Sequence, residues 1–170
     1  MKMTRGRWSH YQLLNANEKM KPYIVHTELF NEQSFYQNSY QHFVIRPCFG
    51  STEINVFLME GDKKQYNVQN GSFSTTFTKK TEVFNYLIKE CSKEKYYILQ
   101  DLSFLARRQE EAVELLVTVH RDPLLNWSVS TVLEKKGLLK PQEMDFIKQK
   151  LYDSAIETVL CLEKHYPECS

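Results

Sequence analysis

No run of apolar residues in this 170-residue chain is long enough to cross a bilayer. The basic start (Lys2, Arg5, Arg7) leads into Trp8-Ser9-His10-Tyr11 and not into the apolar segment of a signal peptide. No membrane span and no secretory leader are therefore expected, and the chain reads as cytosolic. An excess of one charge is also missing. Lys plus Arg number 22 against 21 Asp plus Glu, a formal net charge of +1, which gives no general attraction to nucleic acid or to an anionic membrane. Cys48, Cys91, Cys161 and Cys169 form no CxxC pair, and His10, His26, His42, His120 and His165 show no HxxxH or HExxH spacing. In a cytosolic chain that scatter favours free thiols over a disulfide framework and provides no metal site. Internal repeats, low-complexity tracts and linkers are absent as well.

What remains has the make-up of one globular domain: 42% hydrophobic and 25% charged residues, in a chain long enough to bury a core. Residues 8–15 predict a short amphipathic helix with Trp8, Tyr11 and Leu14 on one side. Pro22 interrupts, Tyr23-Ile24-Val25 reads as extended, and Asn31 to Ser34 predicts the cap of a second helix over 32–40. Residues 43–46, 53–60 and 65–68 read as strands, with Gly61 to Lys64 as a turn. Asn70-Gly71 predicts a type I′ hairpin and a strand over 72–77. Thr78 is placed to cap a helix whose apolar face is Val83, Phe84, Leu87, Ile88 and Cys91. Residues 96–99 read as a buried strand, and 113–120 with 127–133 as an antiparallel pair joined at Asp122-Pro123. From Pro141 to His165, an apolar stripe of Met144, Ile147, Leu151, Ala155, Val159 and Leu162 predicts a helix of about 25 residues with a core face.

The stretch Val44-Ile45-Arg46-Pro47-Cys48-Phe49-Gly50-Ser51, followed by a strand from Ile54, is one way to hold a phosphate: a strand ending in a cation, then a Gly-Ser turn. With it stand Gly6 to Leu14, Lys21-Pro22-Tyr23 followed by Thr27-Glu28-Leu29-Phe30, Tyr97 to Leu105, and a final helix with Ala155-Ile156 and Leu162-Glu163. This ordered set, covering nearly the whole chain, resembles the endospore-coat-associated ATP-grasp family of spore-forming bacteria. The resemblance implies an α+β, ATP-grasp-like fold: antiparallel sheets flanked by helices, lacking the C-terminal metal-binding strands. It implies a single domain over 1–170, with a lead over 1–42, a nucleotide-grip part over 43–100, and a partial second sheet plus long helix over 101–170. The nucleotide-binding residues it implies are Arg46 at the family's lysine position, Gly50 and Ser51 in the loop, and Gln100 and Leu102 in the hinge strand that cradles adenine.

Against that pattern, parts of the chemistry are missing. Where the family has further loop glycines, Thr52-Glu53 stand here, and without glycines backbone N–H groups cannot come close to a phosphate. The family's Asp-x-Arg positions fall on Glu114 and Leu116, and the preceding Arg on Glu111, which reverses the field a triphosphate needs. Arg107 and Arg108 lie nearby and read as a solvated loop pair. The family's Glu-x-Asn magnesium ligands would follow the long helix, where this chain ends at Tyr166 to Ser170. Plainer roles stand beside these. Gln100 is equally a solvated or loop-bonded glutamine; Trp127, Tyr96, Tyr97, Phe43 and Phe57 are core candidates; Lys79-Lys80 and Lys135-Lys136 read as solvated element ends.

The expectation is a non-catalytic ATP-grasp-derived protein, a binding or structural component in sporulation or the spore coat, cytoplasmic or spore-associated. No catalytic or metal residues are assigned and no cofactor is required, with ATP and magnesium as the alternative cofactors. Protein partners or self-association are expected, since exposed sheet edges invite pairing. The alternatives are an ATP-dependent carboxylate ligase and a nucleotide sensor that retains weak binding.

Overall fold

The computed structural model describes residues 6–39, 41–50, 54–62, 64–91, 96–103, 107–108, 111–135 and 138–166, with backbone only at 107–108 and 111–112. The fold is α+β with antiparallel sheets, and the chain forms two compact units. One comprises Met1–Tyr11 and Val25–Phe104, the other Gln12–Ile24 and Leu105–Ser170. Helix α1 (Arg7–Ala16) contributes residues to both.

The first unit is built on a six-stranded sheet of β1 (Thr27–Leu29), β2 (His42–Pro47), β3 (Phe57–Gly61), β4 (Tyr66–Asn70), β5 (Phe73–Phe77) and β6 (Tyr97–Asp101), ordered β1-β6-β2-β3-β4-β5. Alternation along β2 decides its faces: Phe43, Ile45 and Pro47 are buried, while His42, Val44 and Arg46 point the other way. The buried face packs under α2 (Glu32–Gln37) and α3 (Lys80–Cys91), joining Phe35, Phe43, Ile45, Phe57, Met59, Val68, Val83, Leu87 and Leu99 in one core. Asn31 and Ser34 close the start of α2 reciprocally, with Ser34 N–H donating to Asn31 Oδ1 at 2.9 Å and Asn31 N–H to Ser34 Oγ at 3.0 Å.

Several local expectations shift. Lys21–Tyr23 forms a 3-10 turn in which Pro22 is an early residue, and the first strand waits until Thr27. β3 starts late because Asn55 takes a left-handed φ of 57° in a turn. It also runs through Gly61, where a Cβ would lie 2.7 Å from the Tyr66 ring across the pair. The β4–β5 hairpin exists, but its two turn residues are Gly71 and Ser72. Only Gly71 has positive φ, as a II′-type turn requires, so the turn sits one residue later than an Asn-Gly I′ turn. Lys80 is not a solvated end. Its Nζ donates to the carbonyls of Tyr36 and Asn38, which close α2, and lies 5.3 Å from the Phe35 ring centroid.

Cys48, Cys91 and Cys161 are buried free thiols; Cys169 lies outside the described residues. Burial, reinforced by Glu90 and opposed by a hydrogen bond with Tyr97, pushes the Cys91 thiol up to about 12. The folded state therefore favours the protonated thiol. That contribution to stability is complete below the ordinary thiol pKa and is lost as pH rises through about 12. Cys91 should accordingly resist a thiol-labelling reagent at pH 8 in the native protein and react only after urea unfolding, as read by mass spectrometry. Rapid native labelling would contradict the burial.

The second unit holds a short pair, β7 (Arg107–Arg108) with β8 (Glu111–Ala112), and the hairpin of β9 (Leu115–Arg121) and β10 (Trp127–Glu134). Asp122 Oδ1 accepts from the N–H groups of Leu124 and Asn126, both at 2.8 Å, which shapes the tip. Helix α4 (Pro141–Glu163) packs on the hairpin. Its apolar stripe is only half-buried, and Cys161 is its one fully buried residue. Two strands about 4.8 Å apart are narrower than a helix of about 10 Å diameter, and part of the remainder is met by the Gln12–Ile24 segment, where Cys161 Sγ donates to Leu13 O at 3.7 Å and Asn17 Nδ2 to Glu157 at 3.2 Å. Trp127 is likewise no core residue: its indole N–H donates to Glu163 at 3.0 Å, and Arg121 stacks over the ring. Tyr96 is exposed, whereas Tyr97, Phe43 and Phe57 are core.

Candidate functional site

The face of the six-stranded sheet opposite α3 carries Arg46 and Gln100. Arg46 pairs with Ile98 and Val44 with Gln100, so the two side chains emerge on one face as diagonal neighbours, about 7–8 Å apart at their Cα atoms. The Arg46 guanidinium is half-buried and its Nε is fully buried without a hydrogen-bond partner. Burial, with Arg7 close by, lowers its pKa. Arg7 is the residue that sequence reading missed as part of this site. From the start of α1 its Nη1 donates to Pro47 O at 2.8 Å and its Nη2 to Gly50 O at 3.0 Å, while its own N–H donates to Cys48 O. It thereby fastens the turn after β2. Nothing local marks it, because its partners lie 40 residues or more away in sequence.

Gly50 adopts φ +89° in that turn, with open space where a Cβ would stand, so conformation and not crowding favours glycine there. Ser51, and the glycine-poor Thr52-Glu53, lie outside the described residues. Gln100 is tied into the sheet: its Nε2 donates to Thr27 Oγ1 at 2.9 Å, and Thr27 in turn donates to Val25 O. Leu102 is half-buried just past β6 and contributes a backbone bond, N–H to His42 O at 2.9 Å. The structure therefore places Arg46 and Gln100 on one face, binds Gly50 O to Arg7 close to Arg46, and sets Leu102 just past β6 as backbone support.

Two guanidinium groups in proximity, neither with a carboxylate partner among the described residues, make an electropositive spot. A buried N–H without a partner is costly. The nearby positive charges of Arg46 and Arg7 favour an anionic oxygen.

A family model described as YheC/D like ATP-grasp matches residues 2–140. The chain belongs to that ATP-grasp family. No curated protein and no solved structure matches it. In this ATP-grasp chain no group of three or more His, Cys, Asp or Glu side chains gathers to hold a metal among the described residues. No helix is long and apolar enough to cross a membrane among the described residues.

On the second unit, the positions expected for the Asp-x-Arg pair are Glu114 and Leu116. The Glu114 carboxylate is paired with Lys135 at 2.7 Å. Leu116 is on the exposed side of β9, opposite the equally exposed Leu133. Along that side follow Thr118 with Thr131 and His120 with Ser128. Among the described residues, its only full charges are the mutually neutralising Glu114 and Lys135. Arg107 and Arg108 form β7, and their side chains lie outside the described residues.

Proposed function

We propose that this ATP-grasp chain is non-catalytic, a family-derived binding or structural component acting in sporulation or the spore coat. The carrying observation is the exposed, apolar Leu116–Leu133 pair of β9 and β10, at the position to which the motif resemblance assigns a catalytic cation. Phosphoryl transfer needs fixed positive charge around the moving group, and a neutral, threonine-lined surface does not offer it. The spore setting rests on the motif resemblance from Gly6 through Leu105. A fold without its chemistry still provides surfaces for other proteins.

A second reading, a nucleotide sensor that binds without turnover, is favoured by the buried, partnerless Arg46 Nε beside Arg7. Calorimetric titration with Mg-ATP, run beside an ADP-release assay, separates the cases. No ADP above the protein-free control is expected. Heat lost in Arg46→Ala supports the sensor. ADP formation that disappears in Arg46→Ala would overturn the non-catalytic proposal and return the chain to the ligase class. A fluorescent fusion should concentrate at the forming spore; uniform signal throughout sporulation would argue against that setting.

A further inference from the structure

The two edges of the six-stranded sheet are unlike. β1 is three residues long and carries Glu28, whose carboxylate lies 2.9 Å from His26 Nε2 just before the strand. β5 is a five-residue edge, pairs only with β4 among the described residues, and has four of its five residues exposed. From Asn67 through Thr78 there is no charged residue and no proline. Natural edge strands normally carry such devices to prevent pairing, and this one has none.

We propose that β5 is a self-association edge, pairing antiparallel with β5 of a second copy about a two-fold axis through Thr75 and joining the two sheets into one. Sequence symmetry selects the occupant. Phe73-Ser74-Thr75-Thr76-Phe77 is nearly palindromic, so this register sets Phe73 against Phe77, Ser74 against Thr76 and Thr75 against Thr75 of the second copy. Aromatic pairs and Ser/Thr pairs are favourable cross-strand neighbours.

Backbone parity agrees. A two-residue turn at Gly71-Ser72 makes Asn70 and Phe73 a hydrogen-bonded pair. Phe73, Thr75 and Phe77 thus direct their backbone groups to β4, and Ser74 and Thr76 direct theirs outward. In the proposed register Ser74 meets Thr76 of the second copy, and both have outward N–H and C=O groups to exchange.

The layer above also fits. Phe77 packs on Tyr86 of α3 at 5.3 Å, and Tyr86 shares a hydrogen bond with Thr75, so Phe73 (78% exposed) would enter that cluster of the second copy. α3 packs on β4 and β5. With strands about 4.8 Å apart, a helix lying over that pair stands about 10 Å from its two-fold mate, within the usual interhelical spacing. Glu82 and Lys89, both exposed, flank Tyr86 on successive turns, and an antiparallel mate sets each opposite the other's opposite charge.

The pairing does not rest on nucleotide binding or on the absence of catalysis. Sedimentation velocity of the full chain over a concentration series should show a reversible monomer–dimer equilibrium. Thr75→Lys, which sets like charges face to face at the axis, and Phe73→Ser should each weaken it by about tenfold or more while leaving the circular dichroism spectrum unchanged. In a Cys169→Ser background, Thr75→Cys should form an intermolecular disulfide on mild oxidation, since the pair at the axis is a close, non-hydrogen-bonded one. A chain monomeric up to its solubility limit, a dimer indifferent to both β5 substitutions, or a Thr75→Cys variant that does not cross-link would each overturn the proposal.

Discussion

Replacing Phe35 with alanine should lower the unfolding free energy by about 3–5 kcal/mol, the range for deleting a fully buried aromatic side chain. Phe35 has no exposed surface. Its ring meets Phe30, Tyr36, Phe43 and Phe84 at centroid distances of 5.3–6.1 Å, mostly edge-on or tilted, and Lys80 sits over it. One short helix thus supplies the residue that joins α3 to β2. Against a typical total of about 5–15 kcal/mol, such a loss is a large fraction of the whole. Phe146 is the control. It also lies on a helix but is 80% exposed, and Phe146→Ala should stay within about 0.5 kcal/mol of wild type. Urea titration of both variants decides it. Equal shifts would mean that the first unit is not packed around Phe35.

The contrast between these two phenylalanines marks what could be read in the sequence. Local signals were legible: the β-branched and aromatic run of β2, the Asn31–Ser34 cap and the 3.6-residue face of α3, of which Ile88 alone is exposed, each act within a few residues. Where the outcome depended on distant groups, reading failed. Lys80 looked like a solvated helix end because its captors, the carbonyls of Tyr36 and Asn38, are more than 40 residues away. The hairpin turn moved by one residue because Asn70 and Gly71 both tolerate positive φ, and the ladder from Tyr66–Phe77 to Asn70–Phe73 chose between them. The α4 stripe predicted an apolar face correctly, but periodicity does not tell how wide a surface will cover it. In the candidate site Arg46 was legible as a strand-end cation. Arg7 was not, since its role is to bind carbonyls of a turn that is remote in sequence.

Arg46→Met should make the protein more stable and abolish its response to polyphosphate. A structural arginine gives the opposite sign, because truncation would strip the bonds it makes. Arg46 makes none through its buried Nε, is held below its ordinary pKa chiefly by burial, and shares its surroundings with Arg7. Methionine keeps much of the apolar stem while removing the partnerless donor and the repulsion. A gain of about 1–2 kcal/mol is expected, within the cost of leaving a buried polar group unsatisfied. Stability given up in this way is the mark of a site kept for binding. Wild-type protein should melt higher as tripolyphosphate is added, since a ligand that binds only the folded state stabilises it by mass action. Arg46→Lys should keep part of that shift because charge remains, though a compact ammonium cannot reproduce the planar fork. Arg46→Met should show none. Thermal melts of the three proteins across a tripolyphosphate series test both halves at once. A destabilised Arg46→Met variant, or one whose melting still rises with tripolyphosphate, would show that Arg46 serves the fold and that the anion, if bound, sits elsewhere.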